Sequence, residues 1–312
     1  MTLAILLLFV FQIFPLLLIQ KSAAPKGTSG QVQTKETKSD NDAHLLESGE
    51  PRSKRGAIPP NTEIRVISYN IRFRSGDKLK EIIENFRKDE ELGKPTILAL
   101  QEVDRNKKRS GKTNTAKLLA DELSLHYAWT APPAAKPNDE EETGVAILSI
   151  YPLTNVKRIV LPHEGPNGRR RVALGATVKI GDHDLRVYSA HAETRVSMEK
   201  KLEQLKALLE DLAQQPPETP AIIMGDLNTW QSDAAPRTIK LFSDAGFSTP
   251  FGSEKTFSQR VLLVPIQFRL DWIWLRGLEA INHGIDRELN VSDHWPLWTI
   301  VRIPSPKNTE QQ

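Results

Sequence analysis

The sequence contains no cysteine among its 312 residues, and this absence narrows the chemistry open to the chain. Disulfide bonds, thiolate metal sites, a cysteine nucleophile and a lipid-modified N-terminal cysteine are all excluded. Histidine is scarce as well, with seven residues, which argues against a closed structural zinc site. Any bound metal must therefore be held by oxygen or imidazole ligands.

The chain also lacks a large excess of charge of either sign. Its formal net charge is +3, with 39% hydrophobic and 26% charged residues. Bulk electrostatics therefore give no argument for a nucleic-acid binder. The composition is that of an ordinary globular protein, long enough for one large domain and a tail.

A long apolar run near the N-terminus, Leu3 to Ile19, predicts a targeting segment. The run is longer than a typical signal-peptide core and short for a membrane span. Residues 1–24 are therefore predicted to be either a signal peptide or an N-terminal membrane anchor. A buried core helix is the weaker alternative, because a long polar stretch follows. We expect an exported protein that is secreted, periplasmic or associated with a membrane through residues 3–19.

Composition divides the remaining sequence into three parts. Residues 25–60 are rich in Lys, Ser, Thr, Glu, Asp, Gly and Pro without apolar periodicity, which predicts a disordered polar linker. Residues 61–303 carry strand and helix patterns and form the predicted folded domain. Residues 304–312 are a polar C-terminal tail.

Hydrophobic periodicity within the domain predicts both helices and strands. Apolar residues three and four positions apart predict helices around residues 79–86, 116–123, 198–212 and 236–244. Short apolar runs predict strands at residues 64–67, 96–100, 127–129, 144–149, 156–161, 171–180, 185–190, 221–224, 270–275 and 297–303. Because helices and strands do not alternate strictly, the pattern predicts an α/β (α+β) fold with mixed sheets covered by helices.

The segment Ala221 to Asn228 shows how polar residues follow a predicted strand. Four apolar residues come first, and Gly225 then permits a sharp turn. Asp226 and Asn228 leave the same side of an extended segment. Alone, these two residues are more typical of an Asx turn that closes a strand.

Polar side chains stand at or near the ends of six predicted strands. They are Asn70, Glu102, His191, Asp226 with Asn228, Asp271, and Asp293 with His294. Each alone has a structural explanation as a turn cap, a solvated strand end or a satisfied buried histidine. Together they favour a functional site, since coincidence would have to occur six times.

These residue types suit metal-assisted hydrolysis of a phosphoester. Carboxylates and a carboxamide bind a hard divalent cation such as Mg²⁺ and position water. Two histidines can move protons or donate hydrogen bonds to phosphoryl oxygens near neutral pH. Asp271 is a candidate to orient one histidine and raise its pKa.

The same residues lie in an ordered series of motifs: Ser-Tyr-Asn70-Ile-Arg, Gln-Glu102-Val, Ser-Ala-His191, Gly-Asp226-Leu-Asn228, Leu-Asp271-Trp and Ser-Asp293-His294. The series resembles the endonuclease/exonuclease/phosphatase superfamily, which has the deoxyribonuclease-I-like fold. The resemblance covers residues 61–303 and implies a catalytic domain built as a four-layer sandwich, with two packed mixed β-sheets flanked by helices. It also implies a metal-dependent phosphoric ester hydrolase.

The resemblance implies a metal site. At two positions, however, this sequence departs from known branches of the superfamily. Glu102 resembles the principal ligand, with Asn70 and Asp293 completing the site for Mg²⁺ or Mn²⁺. Arg72 stands where abasic-site endonucleases have an additional acidic ligand. The strand that contains Asp271 lacks the Pro-x-Trp-Cys-Asp-Arg signature of inositol-polyphosphate phosphatases. Both departures disfavour those branches.

The resemblance also implies catalytic roles. Asp226 resembles the residue that orients or deprotonates the attacking water, and Asn228 the residue that holds a phosphoryl oxygen. His294, paired with Asp271, would bind or protonate the phosphate. His191 resembles the second catalytic histidine, and Glu142 is a candidate partner for it.

The sequence therefore predicts an exported, Mg²⁺-dependent phosphohydrolase, and in particular a phosphodiesterase that directs water in line onto phosphorus. Its substrate would be a nucleic acid or a phospholipid head group, and no protein partner is predicted. Basic loops at residues 107–109 and 169–171 would steer either polyanion, or serve only solubility. The alternative is a non-catalytic binding module that retains the fold.

Overall fold

Two mixed β-sheets pack face to face in a computed structural model that describes residues 42–53, 63–133 and 141–303. Two helices cover the outer face of each sheet, so that three apolar layers separate four layers of secondary structure. The predicted four-layer sandwich of mixed sheets is confirmed. The N-terminal segment 1–24 and the tail 304–312 lie outside the described residues.

The described strands and helices have the following bounds. The strands are β1 (Leu46–Gly49), β2 (Glu63–Asn70), β3 (Ile97–Arg105), β4 (His126–Thr130), β5 (Glu142–Ser149), β6 (Leu153–Val160), β7 (Val172–Ile180), β8 (His183–His191), β9 (Ala221–Asp226), β10 (Phe257–Val261), β11 (Val264–Phe268), β12 (Asp271–Arg276), β13 (Glu279–Ile285) and β14 (Leu297–Arg302). The helices are α1 (Gly76–Lys88), α2 (Thr115–Leu123), α3 (Met198–Leu212) and α4 (Ala234–Asp244).

Helices form where the apolar spacing predicts them, and a side chain caps the N-terminus of α2 and of α3. The stripe Leu79, Ile82, Ile83 and Phe86 buries α1 against the first sheet. Asn114 caps the N-terminus of α2, and its side chain accepts hydrogen bonds from two backbone N–H groups of the first turn. Helices α3 and α4 bury their apolar faces on the second sheet. Each helix is thus amphipathic and faces one sheet only.

Strand order brings the predicted site residues to one edge of the sandwich. The first sheet has the order β1-β4-β5-β3-β2-β14-β13, and the second has the order β12-β9-β8-β7-β6. Each sheet contains one parallel pair, β2 with β3 and β8 with β9. Parallel neighbours end at the same edge, so Asn70 lies beside Gln101 and His191 lies beside Asp226. Asp271 opens β12 in antiparallel register with Asp226.

A polar contact joins the two sheets within their shared core. The core is otherwise aliphatic, with Val66 and Ile97 of the first sheet in one apolar cluster with Val187 and Ile222 of the second. The Gln101 side chain donates to Ser189 Oγ at 3.1 Å, and that hydroxyl donates to the carbonyl of Leu100 at 3.1 Å. Buried polar groups need such partners, and these bonds fix the two sheets relative to each other below the site.

The prediction of a disordered linker over residues 25–60 is wrong for part of that range. Ala43–Leu45 form a 3₁₀ turn, and β1 adds to the edge of the first sheet by pairing with β4. Leu45 is fully buried, and its carbonyl accepts from Thr130 Oγ1 at 2.7 Å. Two adjacent leucines in a polar stretch are too few to show periodicity. Residues 25–41 and 54–60 lie outside the described residues.

Three further strands, β10, β11 and β13, have no counterpart in the predicted elements. Strand β13 is largely exposed at the outer edge of the first sheet, so it lacks the apolar run of a buried strand. Strands β10 and β11 form a two-stranded hairpin apart from both sheets.

No helix in the described part of the chain combines the length and the apolar character needed to span a membrane.

Candidate active site

Asp226 lies at the centre of the site, and the backbone before it admits only glycine. Gly225 has φ +144°, and a Cβ there would lie 1.9 Å from the carbonyl oxygen of Ala190. That close approach carries β9 tightly past β8 and leaves Asp226 buried at the strand end. Asp226 Oδ1 accepts from the backbone N–H of Asn228 at 3.1 Å. The Asx turn is therefore present, and it orients the second carboxylate oxygen into the site.

Three polar side chains surround Asp226 Oδ2. Asn70 Nδ2 donates to it at 3.1 Å, His191 Nε2 lies 3.5 Å away and His294 Nε2 lies 3.7 Å away. All four residues are buried. They come from β2, β8, β9 and the segment before β14, so the structure assembles residues far apart in sequence around one carboxylate.

His294 and Asp271 form a buried ion pair beside this carboxylate. His294 Nδ1 lies 2.8 Å from Asp271 Oδ2. The same oxygen accepts from Thr256 Oγ1 at 2.7 Å, and Thr256 in turn accepts from the backbone N–H groups of Leu270 and Asp271. These hydrogen bonds hold the Asp271 carboxylate in place, and the carboxylate in turn sets the ring orientation of His294.

Burial and neighbouring charge shift the pKa values of the central groups in different directions. Burial raises the pKa of Asp226, and the carboxylates of Asp271 and Glu102 add to that effect. For His294, burial alone would lower the pKa, but the carboxylates of Asp271 and Asp226 outweigh it and raise the pKa to about 10. Burial, with Arg171 and His294 nearby, holds the pKa of His191 well below its ordinary value.

Glu102 has the surroundings of a metal ligand. It lies at an irregularity in the β3–β5 pairing and adopts φ +56°, a costly conformation for a residue other than glycine. Among the described residues, the only donor to its side chain is Asn70 Nδ2, at a long 3.4 Å. A half-buried carboxylate with so little internal hydrogen bonding suits a hard divalent cation, since such ions prefer oxygen ligands.

A second group of candidate ligands, Asp226, Asp271 and His294, has ligand atoms within 4.8 Å of one another. In this group His294 Nδ1 already lies 2.8 Å from Asp271 Oδ2, which leaves Nε2 as its remaining candidate ligand atom. The set predicted from the sequence is a different one, Glu102, Asn70 and Asp293. In that set, Asp293 Oδ2 also forms an ion pair with Arg72 at 2.9 Å.

Asn228 is held in place by backbone contacts. Its Nδ2 donates to the carbonyl of Ala192 at 2.9 Å, and its backbone adopts φ +52°. The Asn228 carbonyl accepts from the buried ammonium of Lys201, which also donates to Gln231 at 3.2 Å. These contacts place Asn228 beside Asp226 and leave one Nδ2 hydrogen for a substrate oxygen.

The suggested pairing of Glu142 with His191 is wrong. Glu142 opens β5 directly opposite Arg105 of β3. Both of its carboxylate oxygens accept from the Arg105 guanidinium at 3.0 Å. Cross-strand register thus gives the acid a cationic partner on its own sheet, and His191 packs against Asp226 instead.

Two adjoining cavities open onto the cluster. The first has a volume of about 510 Å³ and is lined by His191, Asp226 and His294, with aromatic side chains of β10 and β11 opposite them. The second, about 360 Å³, shares Glu102 and His191 with the first and is lined by five arginines, 109, 169, 170, 171 and 195. Arginines of both basic loops predicted from the sequence therefore reach the site, where Arg109 pairs with Asp104 and Arg171 pairs with Glu193.

Sequence reasoning missed several supporting residues. Three of them contact predicted site residues. Thr256 contacts Asp271, Lys201 contacts Asn228, and Arg72 contacts Asp293. Arg72 was visible as a departure from a family pattern, but its partner was not. Thr256 and Lys201 had no local signal, because a single threonine in a loop and a lysine in an amphipathic helix are ordinary.

The fold and the cluster define the class of this protein as a metal-dependent phosphoric ester hydrolase. The chain belongs to the Endonuclease/Exonuclease/phosphatase family, whose model matches residues 67–294. The family predicted from the motif series is therefore confirmed. No curated protein matches the sequence significantly.

Solved structures with the same fold are distant in sequence. An endonuclease/exonuclease/phosphatase from Beutenbergia cavernae DSM 12333 is 18% identical with a TM-score of 0.61, over 78% of this chain and 72% of that chain. D. rerio TDP2 complexed with single strand DNA product is 16% identical with a TM-score of 0.60, over 78% and 100%. The human Nocturnin catalytic domain with bound sulfate anion is 19% identical with a TM-score of 0.60, over 85% and 100%. These similarities show a shared fold.

Proposed function

We propose that this chain is an exported, Mg²⁺-dependent phosphodiesterase in which water attacks phosphorus in line with the leaving group. The observation that carries the proposal is the buried Asp226 carboxylate, held between Asn70, His191 and His294 at the floor of an open cavity. A carboxylate in that position can orient water and accept its proton. The proposed export rests on the apolar run at residues 3–19.

The two histidines take different parts in this proposal. His294 is held as an imidazolium by Asp271, so its Nε2 hydrogen can bind a phosphoryl oxygen and stabilise charge that develops there. His191 is neutral, and its Nε2 lies near Asp226 Oδ2, where a neutral ring can donate to the carboxylate and hold that oxygen in place. Asn228 would hold a second phosphoryl oxygen.

Glu102, with Asn70 and Asp293, would hold the cation. When bound, a divalent ion supplies Lewis-acid polarisation of the phosphoryl group and neutralises part of its charge. Mg²⁺ suits an all-oxygen donor set, and Mn²⁺ is the natural substitute. The arginine wall of the second cavity would attract the anionic substrate.

Support for a phosphodiester substrate comes from the site and from one relative. The D. rerio TDP2 structure contains a single strand DNA product, so the fold accommodates a nucleic-acid strand in that protein. The cavities here combine arginines with aromatic side chains, a lining that suits the phosphate and the organic group of a diester. A phospholipid head group is the other substrate class with this chemistry.

The test is hydrolysis of bis-p-nitrophenyl phosphate with Mg²⁺ or Mn²⁺. We expect turnover that EDTA abolishes, and losses of at least about 100-fold in both Asp226→Asn and Glu102→Gln. Asp244→Asn, an exposed acid on α4, is the matched control and should keep wild-type activity. A panel of plasmid DNA, RNA and phospholipid vesicles then identifies the substrate. Absence of metal-dependent turnover on every member would overturn the proposed reaction and favour the non-catalytic binding module.

A further inference from the structure

The tip of the β10–β11 hairpin exposes three consecutive aliphatic side chains. Leu262, Leu263 and Val264 are 90%, 92% and 59% exposed, whereas other exposed large hydrophobic residues in the described part of the chain reach 40% at most. Two-residue hairpin turns usually consist of Asn, Asp or Gly. Here Leu262 adopts φ +56°, which is unfavourable for leucine. Leucine is therefore unfavourable at the tip in two respects, because its side chain is exposed to water and because the backbone of Leu262 has a positive φ.

The base of the hairpin is fixed to the active site. Thr256, just before β10, donates to Asp271, and the backbone N–H of Ser258 donates to the carbonyl of Asp293 at 2.8 Å. The ring of Phe257 packs edge-on against His294, with centroids 5.0 Å apart. Phe257, Ile266 and Phe268 line the cavity above Asp226. The apolar tip therefore projects from one wall of the catalytic cleft.

The charged residues of the hairpin indicate which kind of surface its tip would bind. Residues 255–270 contain no acid and three cations, Lys255, Arg260 and Arg269. Lys255 and Arg260 are exposed. Apolar side chains flanked by cations match a lipid surface, where aliphatic groups enter the acyl boundary and cations meet head-group phosphates. A protein partner fits less well, because three side chains cover far less than the roughly 800 Å² each partner buries in a standard interface.

We propose that the tip, Leu262–Val264, inserts into a phospholipid surface and holds the catalytic cleft against its head groups. Docking follows from the hairpin alone. Its consequence, that head-group phosphodiesters are the substrate, rests on the proposed function. Because the base of the hairpin contacts His294 and Asp271, insertion of the tip would set the distance between those residues and the lipid phosphates.

The absence of cysteine makes a local test of docking possible. The full chain carrying Leu263→Cys is labelled with an environment-sensitive fluorophore and mixed, in EDTA, with phosphatidylcholine vesicles with or without phosphatidylserine. Asp182→Cys is the control, since it lies in the exposed turn before β8, at the opposite end from His191. We expect a blue shift and quenching by nitroxide lipids for the tip label only, stronger with phosphatidylserine.

This label separates the hairpin from any binding through residues 3–19, because it reports only its own surroundings. An unchanged tip signal on chain that sediments with vesicles would overturn the proposal. So would a blue shift without vesicles that grows with protein concentration, since that result identifies a second copy as the occupant.

A kinetic test connects docking with the substrate. In Leu262→Ser/Leu263→Ser, hydrolysis of soluble bis-p-nitrophenyl phosphate should be unchanged, while hydrolysis of vesicle phospholipid should fall at least about tenfold. Ile239→Ser, an exposed aliphatic on α4, is the matched control. Equal rates on vesicles for the variant and wild type, or no lipid hydrolysis by wild type, would overturn the lipid-substrate part. Failure of the proposed function appears separately, as loss of soluble diester turnover in wild type.

Discussion

Replacing Asp271 with asparagine should release His294 from its charged state. The pKa of His294 is raised to about 10 from an ordinary value of 6.5, which corresponds to about 5 kcal/mol of preference for the imidazolium. Asp271 lies 2.8 Å from the ring, and Asp226 Oδ2 lies 3.7 Å from it. Removal of the nearer charge should lower the pKa of His294 by about two, within the range of a single close charge.

The assay is an NMR titration of the imidazole signals in metal-free protein, with the His294 signal identified by its loss in His294→Gln. Asp211→Asn is the control, because Asp211 is also buried but pairs with Arg186. It should leave the pKa of His294 unchanged. The reasoning is refuted if wild-type His294 titrates near 6.5, or if Asp271→Asn and wild type give the same pKa.

The same variant carries a signed prediction for stability. A histidine whose folded pKa exceeds its unfolded value contributes stability fully below pH 6.5 and loses it as the pH rises through 10. The difference in unfolding free energy between wild type and Asp271→Asn should therefore stay constant up to the lowered pKa of the variant and shrink from there to pH 10. Urea unfolding at a series of pH values measures it, and a difference independent of pH would contradict the ion-pair explanation.

Two further predictions concern the backbone and the buried lysine beneath the site. Gly225→Ala should unfold the protein or lower its stability by at least about 3 kcal/mol in thermal unfolding, because its Cβ would lie 1.9 Å from the Ala190 oxygen. Burial lowers the pKa of Lys201 to about 8, so the unfolded chain binds that proton more strongly between pH 8 and 10.5. Stability should rise across this window by up to about 3 kcal/mol relative to Lys201→Met, as urea unfolding would show.

The predicted site residues were recognisable because they stand at or near the ends of apolar strands. Asp226 follows the run Ala221 to Met224, and Asn70 follows a similar run in β2. Local pattern therefore predicted which residues stand at strand ends, and strand pairing then brought those ends together. The contact of Asn70 with Asp226 spans 156 positions and depends on the packing of one sheet against the other. No local pattern encodes such a distance.

The sequence did not predict the strands at the edges of the sheets, because these strands lack an apolar pattern. Strand β1 has four residues and β13 is mostly exposed, so neither has the alternation or apolar run that predicts a strand. Backbone hydrogen bonds to β4 and β14 hold them, and these bonds do not depend on side-chain type. The β10–β11 hairpin was even harder to predict, because the apolar residues at its tip face solvent instead of a core.

The two histidines show what three-dimensional context adds to residue identity. In the sequence, His191 and His294 are equivalent strand-end imidazoles, each able to move a proton. In the structure, His294 lies between two carboxylates and stays charged, whereas His191 faces Arg171 and the charged His294 and stays neutral. These opposite shifts support the roles proposed above, in which His294 donates to a phosphoryl oxygen and neutral His191 supports Asp226. In the proposed mechanism, the pKa values of the two histidines lie on either side of neutral pH, and Asp226 is the group that would exchange a proton with water.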